Sequence, residues 1–190
     1  HKNIPIRIKN TFNPSHEGTL ISNQTSESHE TVVGISSRSG VSLFRLQGAG
    51  MVGLFGLIGR IFTALAAEKI NIILVSQVFS EHSICFVINS THSESAESLL
   101  KDEFEFELNN HVIDKIIVEN NLSLIAMVGE GMRHTPGISG KLFKTLGNQH
   151  INVIAIAQGS SERNISFIVA DDATEKTLRV LHREFFENKN

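Results

Sequence analysis

The chain has 190 residues, 41% hydrophobic and 19% charged, enough apolar material for one large core or two small ones. Its formal charge is −3, Trp and Tyr are absent, and no Lys/Arg cluster occurs, which argues against a nucleic-acid or anionic-membrane surface. Gly, Arg and Asn interrupt every long apolar stretch, so no segment reads as a membrane span, and the single cysteine, Cys85, can close no intrachain disulfide.

The first 30 residues differ from the rest. Residues 4–8 alternate like a strand, Asn13-Pro14 and Glu17-Gly18 signal turns, and 24–30 is a polar linker. The chain opens on His1 without Met and reads as a piece of something longer. Thr31 to Ser36 is strand-like.

From Val41 onward the chain repeats itself. Gly50-Met51 returns as Gly131-Met132, Ile70-Asn71 as Ile151-Asn152, Gln77 as Gln158 and Ser80-Glu81 as Ser161-Glu162, always 81 residues on. The gapless alignment of 41–109 with 122–190 holds 22 identical pairs, far above chance for ordinary composition. Each copy opens with a strand-length apolar run, 41–46 or 122–128, and a Gly-rich turn. Apolar residues at helical spacing follow: Leu54, Ile58, Ile61, Phe62 and Leu65, or Ile138, Leu142, Phe143 and Leu146. Then come a β-branched run (70–75 or 151–156), a polar turn (79–82 or 160–163) and a third strand (84–88 or 165–169). A second helix carries Ala96, Leu99, Leu100 and Phe104, or Leu178, Leu181 and Phe185. The first copy adds a strand at 112–118; the second stops before its fourth.

This order is βαββαβ, the ferredoxin-like arrangement of the α+β class, an antiparallel sheet with both helices on one face. The unpaired segment 31–36 is expected to supply the fourth strand of the second unit and interlock the copies. The resulting organisation is a leader, 1–30, then a strand, 31–36, and two units, 41–119 and 122–190. The helix-free face, or the sheet edge, is left for a partner.

Gly48-Ala49-Gly50-Met51-Val52-Gly53 is a literal GxGxxG between strand and helix. A dinucleotide site also needs a parallel strand ending in an acid about 20 residues on. The next strand here ends at Ser76-Gln77, and the repeat puts His134 at the third glycine. A Gly-rich turn at a helix start equally suits a small carboxylate, through free backbone N–H groups and the helix dipole. Gln77 and Gln158 close the second strand with an amide able to read a ligand. Asn71 and Asn152 open it, as helix caps or ligand contacts. The nine histidines share no metal-ligand spacing, and no nucleophile–base arrangement or Walker A loop is present.

Residues 4–14 with Gly18-Thr19-Leu20-Ile21 resemble the closing segment of an aspartate kinase catalytic domain. Gly50-Met51 through Gly59, Ile70-Asn71-Ile72 and residues 76–83 resemble the first ACT unit of those enzymes; 128–132 and 151–162 resemble the second. The wording is most similar to the fused aspartate kinase–homoserine dehydrogenase type. The lone cysteine makes a cytoplasmic protein the natural reading, and the resemblance implies a non-catalytic regulatory region of a kinase that phosphorylates aspartate with ATP and magnesium, with no cofactor in this stretch. It implies a homodimer through the ACT units and feedback inhibition by an end-product amino acid, threonine ahead of lysine. The implied effector residues are Met51, Gly53, Phe55, Gly56, Asn71, Ile72 and Gln77, then Met132, Gly137, Asn152 and Gln158. His134 and Pro136 depart from Gly53 and Phe55, which points to unequal ligand affinity. A stand-alone amino-acid-binding regulator and a dinucleotide-binding domain are the alternatives.

Overall fold

The computed structural model describes residues 4–22, 31–51, 56–78 and 83–187. The expected linker at 24–30, the turn at 79–82 and the candidates Gly53 and Phe55 lie outside the described residues. The chain divides into two compact units, His1–Glu30 and Thr31–Asn190.

In the first unit β1 (Ile6–Ile8) pairs antiparallel with β2 (Thr19–Ile21), Ile6 opposite Ile21. The hairpin is too small to bury its own side chains.

The second unit is built on one antiparallel sheet of six strands. These are β3 (Gly34–Gln47), β4 (Ile72–Val78), β5 (Ser83–Asn89), β6 (Lys115–Val128), β7 (Ala155–Gln158) and β8 (Asn164–Ala170), in the order β4-β5-β3-β6-β8-β7. Its helices are α1 (Leu57–Ala67), α2 (Ser93–Glu103), α3 (Glu105–Asn109), α4 (Ile138–Asn148) and α5 (Thr174–His182), the last continued by a π-helical turn at Arg183–Glu187.

The strand foreseen at 31–36 does complete the second repeat's sheet. Gly34 to Arg38 pair with Val128 to Leu124, and the Val33 N–H donates to the Val128 carbonyl at 2.8 Å. It does not stop there. The segment runs on into the first strand of the first repeat as one 14-residue strand, β3. Likewise the strands foreseen at 112–118 and 122–128 are the two halves of β6. The repeats therefore share both central strands. Each long strand carries a left-handed residue at the crossing, Gly40 (φ 70°) and Asn121 (φ 58°), the same position in the repeat. The ladder shifts register there, which lets each strand bend without ending.

Helix burial follows the apolar spacing. Leu57, Ile61 and Leu65 of α1 and Ala96 and Leu100 of α2 close over Phe44, Leu46, Phe86 and Ile88. Leu142 and Leu146 of α4 and Leu181 of α5 close over Ile125, Met127, Phe167 and Val169. Each fully buried side chain of this size contributes about 1.5–3 kcal/mol.

The opposite face differs from the expectation that it waits for a partner. Val41, Leu43, Leu74 and Val87 of the first repeat meet Leu122 and Ile168 of the second in a third core. The outermost strands β4 and β7 come within 8 Å Cα to Cα. The shared strands curl the sheet until its two helix-free faces bury each other. What remains open is the edge: among the described residues β4 and β7 each have one hydrogen-bonded strand neighbour.

At the crossing the buried serines are paired. Ser42 and Ser93 hydroxyls donate to the Asn120 side-chain oxygen at 2.6 and 2.9 Å. Ser123, the repeat counterpart of Ser42, bonds Ser39 at 2.9 Å and donates to Asp171.

Candidate functional site

Two equivalent loops, β3 to α1 and β6 to α4, leave the sheet at opposite ends, because β3 and β6 run antiparallel. Each enters its helix through a glycine in the left-handed region, Gly56 (φ 81°) and Gly137 (φ 91°). These glycines are the N-caps, and no side chain caps either helix. Neither first turn contains an acidic residue, and among the described residues nothing beyond the adjoining chain lies within 4 Å of where a Cβ would sit at Gly56 or Gly137. Two 11-residue helices thus begin with backbone N–H groups that no described side chain caps, at their positive dipole ends. A carboxylate is the natural ligand for such an end.

Met51 and Met132 repeat because they are core residues. Their side chains are buried in the first and second cores, so only their backbones face the loops. Met51 and Met132 N–H groups close the 3-10 turns on Gly48 and Gly129 at 3.1 and 3.3 Å. Ile72 is half-buried against the first core.

Gln158 ends β7, is exposed, and lies at the loop end of the second repeat. That end is cross-braced. The Gly129 N–H donates to the Arg163 carbonyl at 2.9 Å, Arg163 pairs with Glu130 at 2.9 Å, and the His134 N–H donates to the Glu162 carboxylate at 2.9 Å. Gln77 holds the equivalent place near the end of β4.

Asn71 and Asn152 lie elsewhere. Both are exposed, just ahead of their edge strands, six residues before the Gln, which is about 20 Å along an extended chain. Asn152 lines a cavity of about 350 Å³ with His150, Asp172 and Lys176 at the far end of the second repeat. Within each repeat, then, the loop and the Gln position lie at the same end of the sheet and the Asn lies toward the other.

Sequence reasoning missed two features. Val75 and Ile156, repeat equivalents on the edge strands, are exposed apolar side chains at 36% and 45%. By register they lie opposite Phe86 and Phe167 on the helix side of the sheet. A β-branched residue two before Gln in both copies was the available signal. The second feature is a cation over an aromatic ring. Arg60 sits over Phe104 at 4.5 Å and bonds Glu103, and its counterpart Lys141 sits over Phe185 at 5.0 Å and bonds Glu184. Arg60 also pairs with Glu107, which is buried. The hydrogen bond from Arg60 holds the Glu107 carboxyl below the usual carboxylate range, and the bonds from Glu107 and Glu103 raise Arg60.

An ACT domain family model matches the chain twice, over residues 44–104 and 125–185, the two repeats just described. The chain belongs to the ACT family. Its two ACT units are similar to a stretch of the bifunctional aspartokinase/homoserine dehydrogenase of Haemophilus influenzae, 38% identical over 99% of this chain and 23% of that protein. They are also similar to aspartokinase 3, chloroplastic, of Arabidopsis thaliana, 33% identical over 97% of this chain and 33% of the relative. The chain thus spans a quarter to a third of these relatives' length. Among solved structures, the aspartate kinase of Clostridium acetobutylicum superposes with a TM-score of 0.86 at 28% identity, covering 98% of this chain and 42% of that one. The ligand-free regulatory subunit of aspartate kinase from Thermus thermophilus shares the fold, with a TM-score of 0.68 at 22% identity over 82% of this chain and 99% of that one.

Proposed function

We propose that this chain is the amino-acid-sensing regulatory region of an aspartate kinase, working as a homodimer and taking threonine in preference to lysine. The observation that carries this reading is the pair of uncapped helix starts, each beside an edge strand with no second neighbour among the described residues. The helix start takes the effector's carboxylate and loop carbonyls take its ammonium. The Asn and Gln amides read its side chain, with Gln77 and Asn71 first and Gln158 second.

The 20 Å between Asn71 and Gln77 favours a dimeric site. If β4 of one protomer pairs antiparallel with β4 of its partner about a two-fold axis, the start of one strand lies beside the end of the other. Asn71 of one protomer then meets the loop and Gln77 of its partner. Val75, exposed at 36% near the middle of the strand, is covered by the same pairing.

Inhibition requires that the effector bind the less active arrangement more tightly, with coupling of about 1–3 kcal/mol. Calorimetry of the chain with threonine and with lysine tests the reading, alongside inhibition curves of the parent kinase with its ATP and magnesium. Gln77→Ala is expected to weaken inhibition and leave uninhibited turnover near normal. Unchanged curves for Gln77→Ala and Gln158→Ala together sink the site assignment.

A further inference from the structure

We propose that the ion pair between Arg60 and Glu107 is a strap that fixes the spacing between the two described banks of the first Gly-rich loop, residues 48–51 and 56–60, and so positions the backbone groups that meet the effector; the effector half of this rests on the function proposed above.

One bank is held by the segment that follows α3. The Asp114 N–H donates to the Gln47 carbonyl at 2.8 Å. A Cβ on Gly50 would sit 2.7 Å from the Val112 Cα, and one on Gly48 would strike the Val112 carbonyl, so backbone lies directly on backbone. The other bank is the start of α1, where the Arg60 N–H donates to the Gly56 carbonyl at 2.9 Å.

Glu107 links both banks, one directly and one through the segment 112–113. Its carbonyl accepts the Val112 and Ile113 N–H groups at 2.9 and 3.1 Å, holding the segment against Gly48 and Gly50. Its carboxylate accepts from the Arg60 guanidinium. The guanidinium is fixed in turn by the Glu103 carboxylate at 2.8 Å, the Glu103 carbonyl at 2.6 Å and the face of Phe104. With its side chain 10% exposed, Glu107 has no ready water to replace Arg60, so opening the strap strands a buried charge.

Among the described residues the second unit shows no such closure, and its connectivity differs. Lys141 still grips Glu184 and Phe185. But the segment packed on Gly129, the counterpart of Gly48, is Thr31 and Val32, which enters from the other end of the chain. No residue after α5 can be continuous with it.

The test uses the whole 190-residue chain with Arg60→Met, Glu107→Gln and Arg60→Lys. Amide hydrogen exchange is followed without ligand, and threonine and lysine are titrated by calorimetry. The strap predicts exchange about tenfold or more faster at 48–51 and 56–60 in Arg60→Met and Glu107→Gln, with 129–141 and β8 unchanged. Arg60→Lys keeps a charge but loses the fork that spans Glu103 and Glu107, so its exchange rises to between wild type and Arg60→Met. Effector affinity should fall about tenfold in the first two variants and by less in the third. Unchanged exchange in the first loop overturns the strap, and so does a uniform rise across the unit. Faster loop exchange with unaltered affinity overturns its positioning role. A wild-type chain that binds neither amino acid overturns the effector reading and with it the positioning role, while the exchange arm still decides the strap.

Discussion

Glu107 links charge to folding in a way that pH can expose. Its carboxyl titrates below the ordinary range when folded, through the hydrogen bond from Arg60. Its stabilising contribution is therefore complete above the unfolded value, and it is lost as pH falls through the lower folded value. Wild type should exceed Glu107→Gln in urea midpoint at pH 7, and the gap should close as pH falls through the lowered folded value, once the carboxyl is protonated in both states. A gap that persists at low pH would assign the difference to packing. Met132 and Gln158 make a second contrast at this scale, because both repeat exactly and only one is a surface residue. Met132 is 4% exposed, so Met132→Ala should lose about 2–5 kcal/mol in denaturant unfolding. Gln158→Ala on the exposed edge should stay within about 0.5 kcal/mol. Repetition in sequence marks both equally; burial separates structural repetition from functional repetition.

At the level of strands and helices, the free edges of β4 and β7 make a distinct prediction. Val75→Lys puts a charge on an exposed edge position, a device that blocks edge pairing. Light scattering should show loss of dimer while the circular dichroism and the melting temperature hold. A variant that unfolds would mean that Val75 serves the monomer. The 81-residue offset made nearly every element legible, because a duplicated domain states its periodicity twice. The fusion of strands into β3 and β6 was not legible. Ser39-Gly40 and Asn120-Asn121 look like strand ends, and only the ladder shows one left-handed residue absorbed as a bend. The covered helix-free face escaped for a related reason, since apolar residues on both sides of a strand do not say which repeat they meet. The separation of Asn from Gln could have been read. Six residues of extended chain measure about 20 Å, which is too far for one small ligand.

At the scale of the whole molecule, pairing of two copies is the event that would assemble the proposed sensor. The chain is expected to be dimeric at about 100 µM, well above ordinary dimer dissociation constants, by light scattering. Threonine should raise its melting temperature in proportion to occupancy, because a ligand that binds only the folded state stabilises by mass action. A monomer with an unchanged melting temperature would leave the ACT fold intact and remove the sensing role.

The shared strands also govern how the molecule comes into being. Gly34 pairs with Val128, so the second ACT sheet cannot be completed from its own repeat, whereas Gln47 and its partner Lys115 both belong to the first. Cutting the chain between the repeats should yield a second fragment that fails to fold alone and recovers structure when mixed with the first. During synthesis, residues 34–38 emerge first and must wait for a partner made some ninety residues later, a long-range closure that slows folding. A strand in waiting is a template for aggregation. Here it reads Gly34-Ile35-Ser36-Ser37-Arg38, polar and charged over most of its length. That composition keeps a nascent edge dissolved until the ribosome has delivered the strand it needs.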